Sequence, residues 1–228
     1  MNNLYTINTL KYRELYKFLI VLFVLLQLSS IIHANNKDSI STTYINGKFV
    51  SFTRIWVNAP AKVMDQVIDD FLYETKYDLD ALLLWGLKGL KLRSEKDEII
   101  VFNFKSTEYD KKNDLIKATG EVIVPNIINF PEIHVSSKMS KKIDANDRVN
   151  VNINVLYSDA FLSKTTGDFN MTPFDEKGCF ISLETKVKFG WFFNIFITNY
   201  SYKHIMEWRF KTLMCNLRDE AEKRQIGK

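Results

Sequence analysis

Two periods of apolar residues run through this chain, one typical of strands and one typical of helices. Residues 50–57 are rich in β-branched and aromatic side chains, which predicts a strand. It stops at Asn58-Ala59-Pro60, where an Asn cap and a Pro at the first helical position predict a helix start. The helix that follows has one apolar face, because its apolar residues recur every three or four positions: Val63, Val67, Ile68, Phe71 and Leu72.

The next segment, Leu79 to Leu90, is apolar but interrupted by Gly86 and Gly89. This pattern predicts a second short helix followed by a mobile loop. We favour the interpretation that its leucines are core residues; the alternative is a lid over a pocket.

From Lys96 onward, apolar and polar residues alternate between clusters of turn-forming residues. Alternation is clearest where Val149, Val151 and Ile153 are interleaved with asparagines. A period of two with one apolar face predicts an antiparallel sheet with one wet side and one covered side. The predicted strands span 98–109, 114–125, 131–142, 147–158, 163–173 and 178–190.

The last element, Phe193 to about Lys223, has the period of a helix. At about 100° per residue, one stripe contains Ile195, Asn199, Tyr202, Met206, Phe210, Leu213 and Leu217. We therefore expect this helix to lie along the sheet and cover its apolar face.

The first residues have the three parts of a secretory signal. Lys11, Arg13 and Lys17 form a basic region, an apolar run follows from Phe18 to Ile32, and Ala34 is a small residue at which cleavage could follow. We predict a signal peptide over residues 1–34, or alternatively an uncleaved anchor that associates with a membrane through residues 18–32. Either way, the body of the protein is expected to be extracytoplasmic, whether secreted or periplasmic.

Behind the signal, residues 35–48 are polar and aperiodic, which predicts a linker, and residues 49–226 form a single predicted domain. The whole chain has 31 Lys and Arg against 27 Asp and Glu, and the signal contains three of the basic residues. The remaining charge is nearly balanced, which gives no electrostatic footprint for nucleic acid. Cys179 and Cys215 are predicted to stay unpaired, because Cys215 falls on the helix face away from the sheet.

The order of the predicted elements resembles that of the START-like superfamily, which includes the polyketide-cyclase-like (SRPBCC) and lipid-transfer proteins. The most specific piece is Arg54-Ile-Trp-Val-Asn-Ala-Pro60 with Val63 and Val67 after it, and the second is the strand 178–190 running through Trp191 into the long helix. The resemblance implies an α+β helix-grip fold. In it, a curved seven-stranded antiparallel sheet wraps a long C-terminal helix, with two short helices after the first strand.

In that superfamily an apolar cavity lies between the sheet and the last helix, so the resemblance implies a ligand site there. The chain's own candidates to line it are Tyr202, Met206, Asn199, Arg209, Tyr157 and Arg54. Arg54 lies in an apolar strand and could be an anion anchor or simply face solvent. Arg209 could reach a head group or lie along the helix edge.

No catalytic signature accompanies this cavity. The sequence has no His-Glu-x-x-His, no Cys-x-x-Cys, no glycine-rich phosphate loop and no Gly-x-Ser-x-Gly turn, and the superfamily has no universal catalytic motif to transfer. His134 and His204 are predicted to lie on the surface, and the acidic pairs at Asp69-Asp70 and Asp78/Asp80 are predicted to be solvated. We predict no metal site and no cofactor.

The leading hypothesis is a non-enzymatic, extracytoplasmic binding protein for a hydrophobic or lipid-like small molecule. A second is a cyclase or dehydratase that uses polar groups of the same cavity. A third is an interaction scaffold with an exposed apolar patch at Leu82–Leu90 or at Trp191-Phe192-Phe193.

Overall fold

A computed structural model describes residues 38–90, 101–159 and 161–226 of the 228-residue chain. The predicted signal, residues 1–34, lies outside the described residues. The elements are β1 (Ser39–Ile45), β2 (Lys48–Val57), α1 (Ala61–Tyr77), α2 (Leu79–Leu84), β3 (Val101–Asp110), β4 (Leu115–Val124), β5 (Ile128–Ile143), β6 (Val149–Ser158), β7 (Leu162–Pro173), β8 (Cys179–Phe189), a 3₁₀ turn (Phe193–Ile195) and α3 (Asn199–Ile226).

All the strands form one antiparallel sheet in the order β1-β2-β8-β7-β6-β5-β4-β3. The long helix α3 packs against β2 and β1, and α1 packs against α3. The predicted helix-grip architecture is therefore confirmed, with eight strands in the described residues where the sequence predicted seven.

The additional strand is β1, within the stretch that the sequence predicted to be a linker over residues 35–48. It pairs with β2 from Ser39 opposite Arg54 to Ile45 opposite Lys48. Asn46 and Gly47 connect the two strands, both with positive φ, which suits the tight turn of a hairpin. The linker prediction is wrong for these residues, because an edge strand needs no regular apolar face and so gives little pattern in the sequence.

Helix α1 begins one residue later than predicted. Pro60 is the cap residue and Ala61 is the first helical residue, while the backbone N–H of Asn58 donates to the Glu222 carboxylate 2.8 Å away. Asn58 is thus bound to the C-terminal helix and does not cap α1. The predicted apolar face is otherwise confirmed, since Val63, Val67 and Ile68 are buried together with Met64.

Helix α3 begins at Asn199, six residues after the predicted start at Phe193. Thr198 precedes it and forms a reciprocal cap: its Oγ1 accepts from the backbone N–H of Ser201, and its own N–H donates to Ser201 Oγ, each at 3.1 Å. Residues before this cap do not follow the helical stripe, so Ile195 lies exposed in the 3₁₀ turn.

The core lies between the sheet and the two longer helices. One part packs α1 and α3 against β2, β6, β7 and β8, and a second part is rich in aromatic residues around Phe49, Phe189, Phe193 and Tyr202. Cys179 and Cys215 are both free thiols. Within the described ranges, no helix is long and apolar enough to cross a membrane.

Candidate functional site

A cavity of about 520 Å³ lies between the sheet and α3. Its floor comes from β5 to β8, its roof from α3, and one wall from Ile68, Phe71 and Leu72 of α1. The volume is in the range of small-molecule sites, which are typically apolar clefts with a few polar groups. The predicted cavity is therefore present.

A row of paired residues that starts at Ser51, outside the cavity, and runs through the cavity floor changes from polar to apolar. Ser51 on β2 pairs with Thr185 on β8, and Thr185 pairs with Gly167 on β7. The row continues through Ile153 on β6 to Met139 on β5. Because paired residues point to the same face of a sheet, the hydroxyls gather at the β2–β8 side and the apolar groups at the β5–β6 side.

Gly167 leaves an opening in the middle of this floor. A Cβ placed on it would approach Ile153 and Thr185 no closer than 3.6 Å, which is ordinary van der Waals contact. The missing side chain, and not a special backbone conformation, is what this glycine contributes to the site.

Three cavity-lining hydroxyls have no hydrogen-bond partner among the described residues, although their oxygen atoms are buried. They belong to Thr165, Thr185 and Tyr202, and we call them the hydroxyl cluster. Ser51 and Thr185 adjoin the Tyr202 phenol without reaching hydrogen-bond geometry, and Ser51 instead exchanges a 3.0 Å hydrogen bond with Thr42. Burial raises the pKa of the Tyr202 phenol to about 12, so the phenol is neutral.

Tyr202 is held in place by aromatic packing. Its ring stacks on Phe49 with centroids 4.0 Å apart and meets Phe189 edge-on at 6.0 Å, and only 4% of the residue is exposed. A side chain fixed in this way presents its hydroxyl at a defined position.

Three of the six residues predicted to line the cavity do so: Tyr202, Met206 and Arg209. They share one face of α3 at spacings of three and four residues, and Tyr202 and Met206 belong to the predicted helical stripe. The periodicity identified Tyr202 and Met206, whereas Arg209 flanks the predicted stripe and was a candidate because its long side chain could reach a ligand.

The other three predicted residues lie elsewhere. Arg54 is on the opposite face of β2 from the buried Thr53 and Ile55, with its guanidinium 4.0 Å from the centre of the Phe180 ring. It is therefore a surface cation on an aromatic ring and not an anion anchor in the cavity. Asn199 is exposed, because it is the first residue of α3 and precedes the turns that face the cavity.

Tyr157 points away from the cavity because of a β-bulge. In the pairing of β5 with β6, Ser136 is opposite Tyr157 but Ser137 is opposite Val155, so Leu156 is an extra residue. The extra residue reverses the alternation that places Val149 and Val151 inside. Tyr157 is 56% exposed and donates a 2.6 Å hydrogen bond to Asp159.

The segment after α2 is tied to both helices. Trp85 Nε1 donates to Glu74 of α1 at 2.6 Å, and Asn216 of α3 donates through its Nδ2 to the carbonyls of Gly86 and Lys88. Phe71, which lines the cavity, packs edge-on against Trp85. Residues 85–88 are thus bound to both helices by specific hydrogen bonds. Asn216 gave no signal in the sequence, because its role depends on which loop lies beside the helix.

Several titratable residues outside the cavity are exposed or paired with one another on the surface. His134 is exposed beside Asp159 and Glu132, and His204 is exposed on α3. Asp69 pairs with Lys141 at 2.6 Å, and Asp70 pairs with Arg224 at 2.5 Å. Among the residues that the structure describes, no group of three His, Cys, Asp or Glu side chains could hold a metal ion.

The two segments considered as interaction patches are each partly buried. Leu82 and Phe193 belong to the core, whereas Leu84 is 79% exposed and Trp191 is 82% exposed. Each segment therefore leaves one large apolar side chain at the surface, within a stretch whose other apolar residues stabilise the fold.

No protein-family model and no curated protein matches the chain. Among solved structures it is similar to a START superfamily protein from Mycobacterium smegmatis, at 12% identity and a TM-score of 0.43, spanning 76% of this chain and 97% of that one. It is also similar to an aromatase/cyclase from a Streptomyces species (11% identity, TM-score 0.46, 78% and 95% spanned). A third similar structure is a STAR-related lipid transfer protein from Xanthomonas axonopodis, at 10% identity and a TM-score of 0.43. The match spans 82% of this chain and 99% of that one.

At these identities and TM-scores, the similarities carry no argument about what the chain binds. The fold follows instead from the chain's own elements: one antiparallel sheet, two helices after β2 and a long C-terminal helix over the sheet. The order and pairing of these elements give the chain the helix-grip fold that the sequence predicted.

Proposed function

We propose that this chain is a binding protein for a hydrophobic or amphipathic small molecule, which it holds in the cavity between the sheet and α3. The observation that carries the proposal is the cavity itself, about 520 Å³ of space inside an otherwise packed domain. Its walls are almost entirely hydrocarbon. An apolar molecule that enters such a space leaves water and gains the close contacts of a protein interior.

The lining favours an apolar ligand. Phe169, Leu183, Val187, Met206 and Phe210 present hydrocarbon to the cavity from three different elements. Its volume of about 520 Å³ is within the range of about 300–1,000 Å³ typical of small-molecule sites, so the cavity can hold a compact apolar molecule. A site of this kind gains its affinity from apolar area removed from water.

Two further parts of the proposal come from the sequence. The secretory signal over residues 1–34 supports an extracytoplasmic location. The lack of a catalytic motif supports binding without turnover. The cyclase or dehydratase alternative requires at least two polar side chains that converge on one void. Of its candidates Tyr157, Asn199, Tyr202 and Arg209, the last two line the cavity and the first two are exposed, so this alternative keeps two of its four groups.

The direct test is to purify the protein without detergent and record its native mass, and then to extract it with organic solvent and analyse what is released. We expect a reproducible mass increment that disappears on denaturation, and an apolar compound in the extract. The cavity-bearing protein should also bind Nile red, an uncharged dye that fluoresces in apolar surroundings.

Gly167 provides a matched pair of variants for this test. Gly167→Leu projects a large side chain from the floor into the cavity, whereas Gly167→Ala adds a single methyl group at ordinary contact distance. We expect Gly167→Leu to abolish Nile red binding and to remove the mass increment while the protein stays folded, and Gly167→Ala to retain both. If both variants bind as the unaltered protein does, the ligand lies elsewhere and the proposal is wrong.

A further inference from the structure

The polar groups of the cavity are concentrated on one wall, and this inference about them rests on the proposed binding function. The hydroxyl cluster of Thr165, Thr185 and Tyr202 places three buried oxygens, without a partner among the described residues, around the β7–β8 side of the cavity. A buried hydroxyl without a hydrogen bond costs about 1–3 kcal/mol. Thr185 and Tyr202 adjoin each other, yet none of the three oxygens has a hydrogen bond of good geometry in the described residues, so a polar group of a ligand could supply one.

The positions of these oxygens follow from the sheet register. Thr185 pairs with Gly167, and Thr165 is two residues before Gly167 on the same strand and the same face. The two threonines are thus diagonal neighbours, about 7–8 Å apart at their Cα atoms. Because Gly167 has no side chain, the space between them stays open, and Tyr202 reaches it from the helix above.

The opposite side of the cavity offers a polar ligand group nothing comparable. Ile153 and Met139 end the row on the floor, and Phe71 and Leu72 form the wall from α1. Arg209 also lines the cavity, but it follows Tyr202 by seven residues, which places it about 10 Å further along the helix axis. The backbone of the one cation among the lining residues is therefore about two helical turns from that of Tyr202.

We propose that the hydroxyl cluster is the head-group subsite of the cavity and that it accepts one uncharged polar group, a hydroxyl or a carbonyl, of an otherwise apolar ligand. Hydroxyl side chains both donate and accept hydrogen bonds, so they match either group. They bring no compensating charge, and burying an ion without such a charge is costly. The same burial that keeps the Tyr202 phenol neutral disfavours a carboxylate beside it.

The test compares two ligands that differ only at the head group, decan-1-ol and decanoate, by their displacement of Nile red from the full-length protein at neutral pH. We expect decan-1-ol to bind at least tenfold more tightly than decanoate. Decan-2-one should behave like the alcohol, because a carbonyl can accept from the same hydroxyls.

Three variants then locate the head group. Thr185→Val and Tyr202→Phe each remove one hydroxyl and keep the shape of the side chain, and Phe at 202 can still stack on Phe49. Each should weaken decan-1-ol binding roughly three- to tenfold, the effect of one lost hydrogen bond, and leave decanoate binding unchanged. Thr53→Val is the matched control, because Thr53 is a buried threonine whose hydroxyl also lacks a partner in the described residues but which does not line the cavity.

The outcomes separate the two proposals. If Nile red and the decyl compounds all fail to bind, the proposed function is wrong and this inference falls with it. If Nile red binds but decanoate binds as well as or better than decan-1-ol, the binding function stands and the uncharged head-group subsite is overturned. Loss of decanoate binding in Arg209→Gln would then show that the cavity holds an anionic head group on this arginine. If Thr53→Val weakens decan-1-ol as much as Thr185→Val does, the assignment to the hydroxyl cluster is wrong.

Discussion

At the scale of single residues, Tyr202 and Cys179 are buried groups whose ionised forms the fold excludes. Burial raises the pKa of the Tyr202 phenol and of the Cys179 thiol, each to about 12. In the unfolded chain the thiol ionises near pH 8.5 and the phenol near pH 10. Above those values the unfolded state holds fewer protons than the folded state, so the free energy of unfolding must fall as the pH rises.

We therefore predict that the stability contributed by Tyr202 is complete below about pH 10 and is lost as the pH rises towards 12. Urea unfolding at a series of pH values measures it. Tyr202→Phe should reduce the loss of stability over this interval by about 2 kcal/mol, an order-of-magnitude figure from the shift in pKa.

Tyr200→Phe is the matched control, because Tyr200 lies two residues earlier and is 80% exposed. This variant should leave the decrease in the free energy of unfolding above pH 10 unchanged. Equal slopes for both variants would contradict the assignment of the slope to burial of Tyr202.

At the scale of elements, the sequence predicted most strands and helices to within a few residues. The alternation of apolar residues identified β6 and β8, and the helical stripe identified the cavity face of α3. Strand β8 buries every residue of one face, and β6 and α3 bury or half-bury the residues of theirs, so the pattern is strong in all three. The misplaced residues share another property, since Tyr157 and Asn199 lie where a bulge or a cap interrupts the period, and neither interruption can be seen in the pattern itself.

The sequence pattern did not predict strand β1, for a related reason. Its residues are half-exposed or exposed along the whole strand, so selection for an apolar face is weak there. Its contacts are nevertheless specific: Asp38, just before it, accepts a 3.0 Å hydrogen bond from the Trp56 backbone N–H and pairs with Arg218 of α3. Such contacts depend on the assembled sheet and leave no local signature.

We predict that β1 stabilises the domain and is not a dispensable linker. A chain that begins at Asp38 should be more stable than one that begins at Lys48 by about 2 kcal/mol or more, because the shorter chain loses the backbone hydrogen bonds of a seven-residue strand. Chemical denaturation of the two purified chains measures the difference. Equal free energies of unfolding for the two chains would contradict this prediction, because residues 38–47 would then act only as a linker.

At the scale of the whole molecule, the cavity was the part of the site that the sequence could suggest but not establish. The same apolar positions on β6, β7, β8 and α3 are compatible with a filled core, and the outcome depends on the sum of many side-chain volumes. Gly167 shows how small the deciding feature is, since a single absent side chain opens the floor beside Thr185. The unpartnered hydroxyls likewise become visible only when the strands are paired in register.

The cellular location of the protein determines which ligands are available to the cavity. The apolar run from Phe18 to Ile32 follows three basic residues, which is the arrangement of an export signal. We predict that residues 1–40, fused to a phosphatase that is active only outside the cytosol, give active enzyme in a bacterial host. Leu22→Arg combined with Leu25→Arg should abolish that activity, because two charges within the run oppose insertion into the membrane.

The control is Asn36→Arg, which adds a charge after the run and should leave export intact. Activity that survives the paired arginines, or a fusion that is inactive with the unaltered signal, would contradict the extracytoplasmic location. The mass of the exported full-length protein then distinguishes the two forms of the prediction. A chain that starts near Asn35 indicates cleavage, whereas an intact chain in the membrane fraction indicates an anchor that keeps the cavity close to a lipid surface, where a ligand with one uncharged polar group would partition.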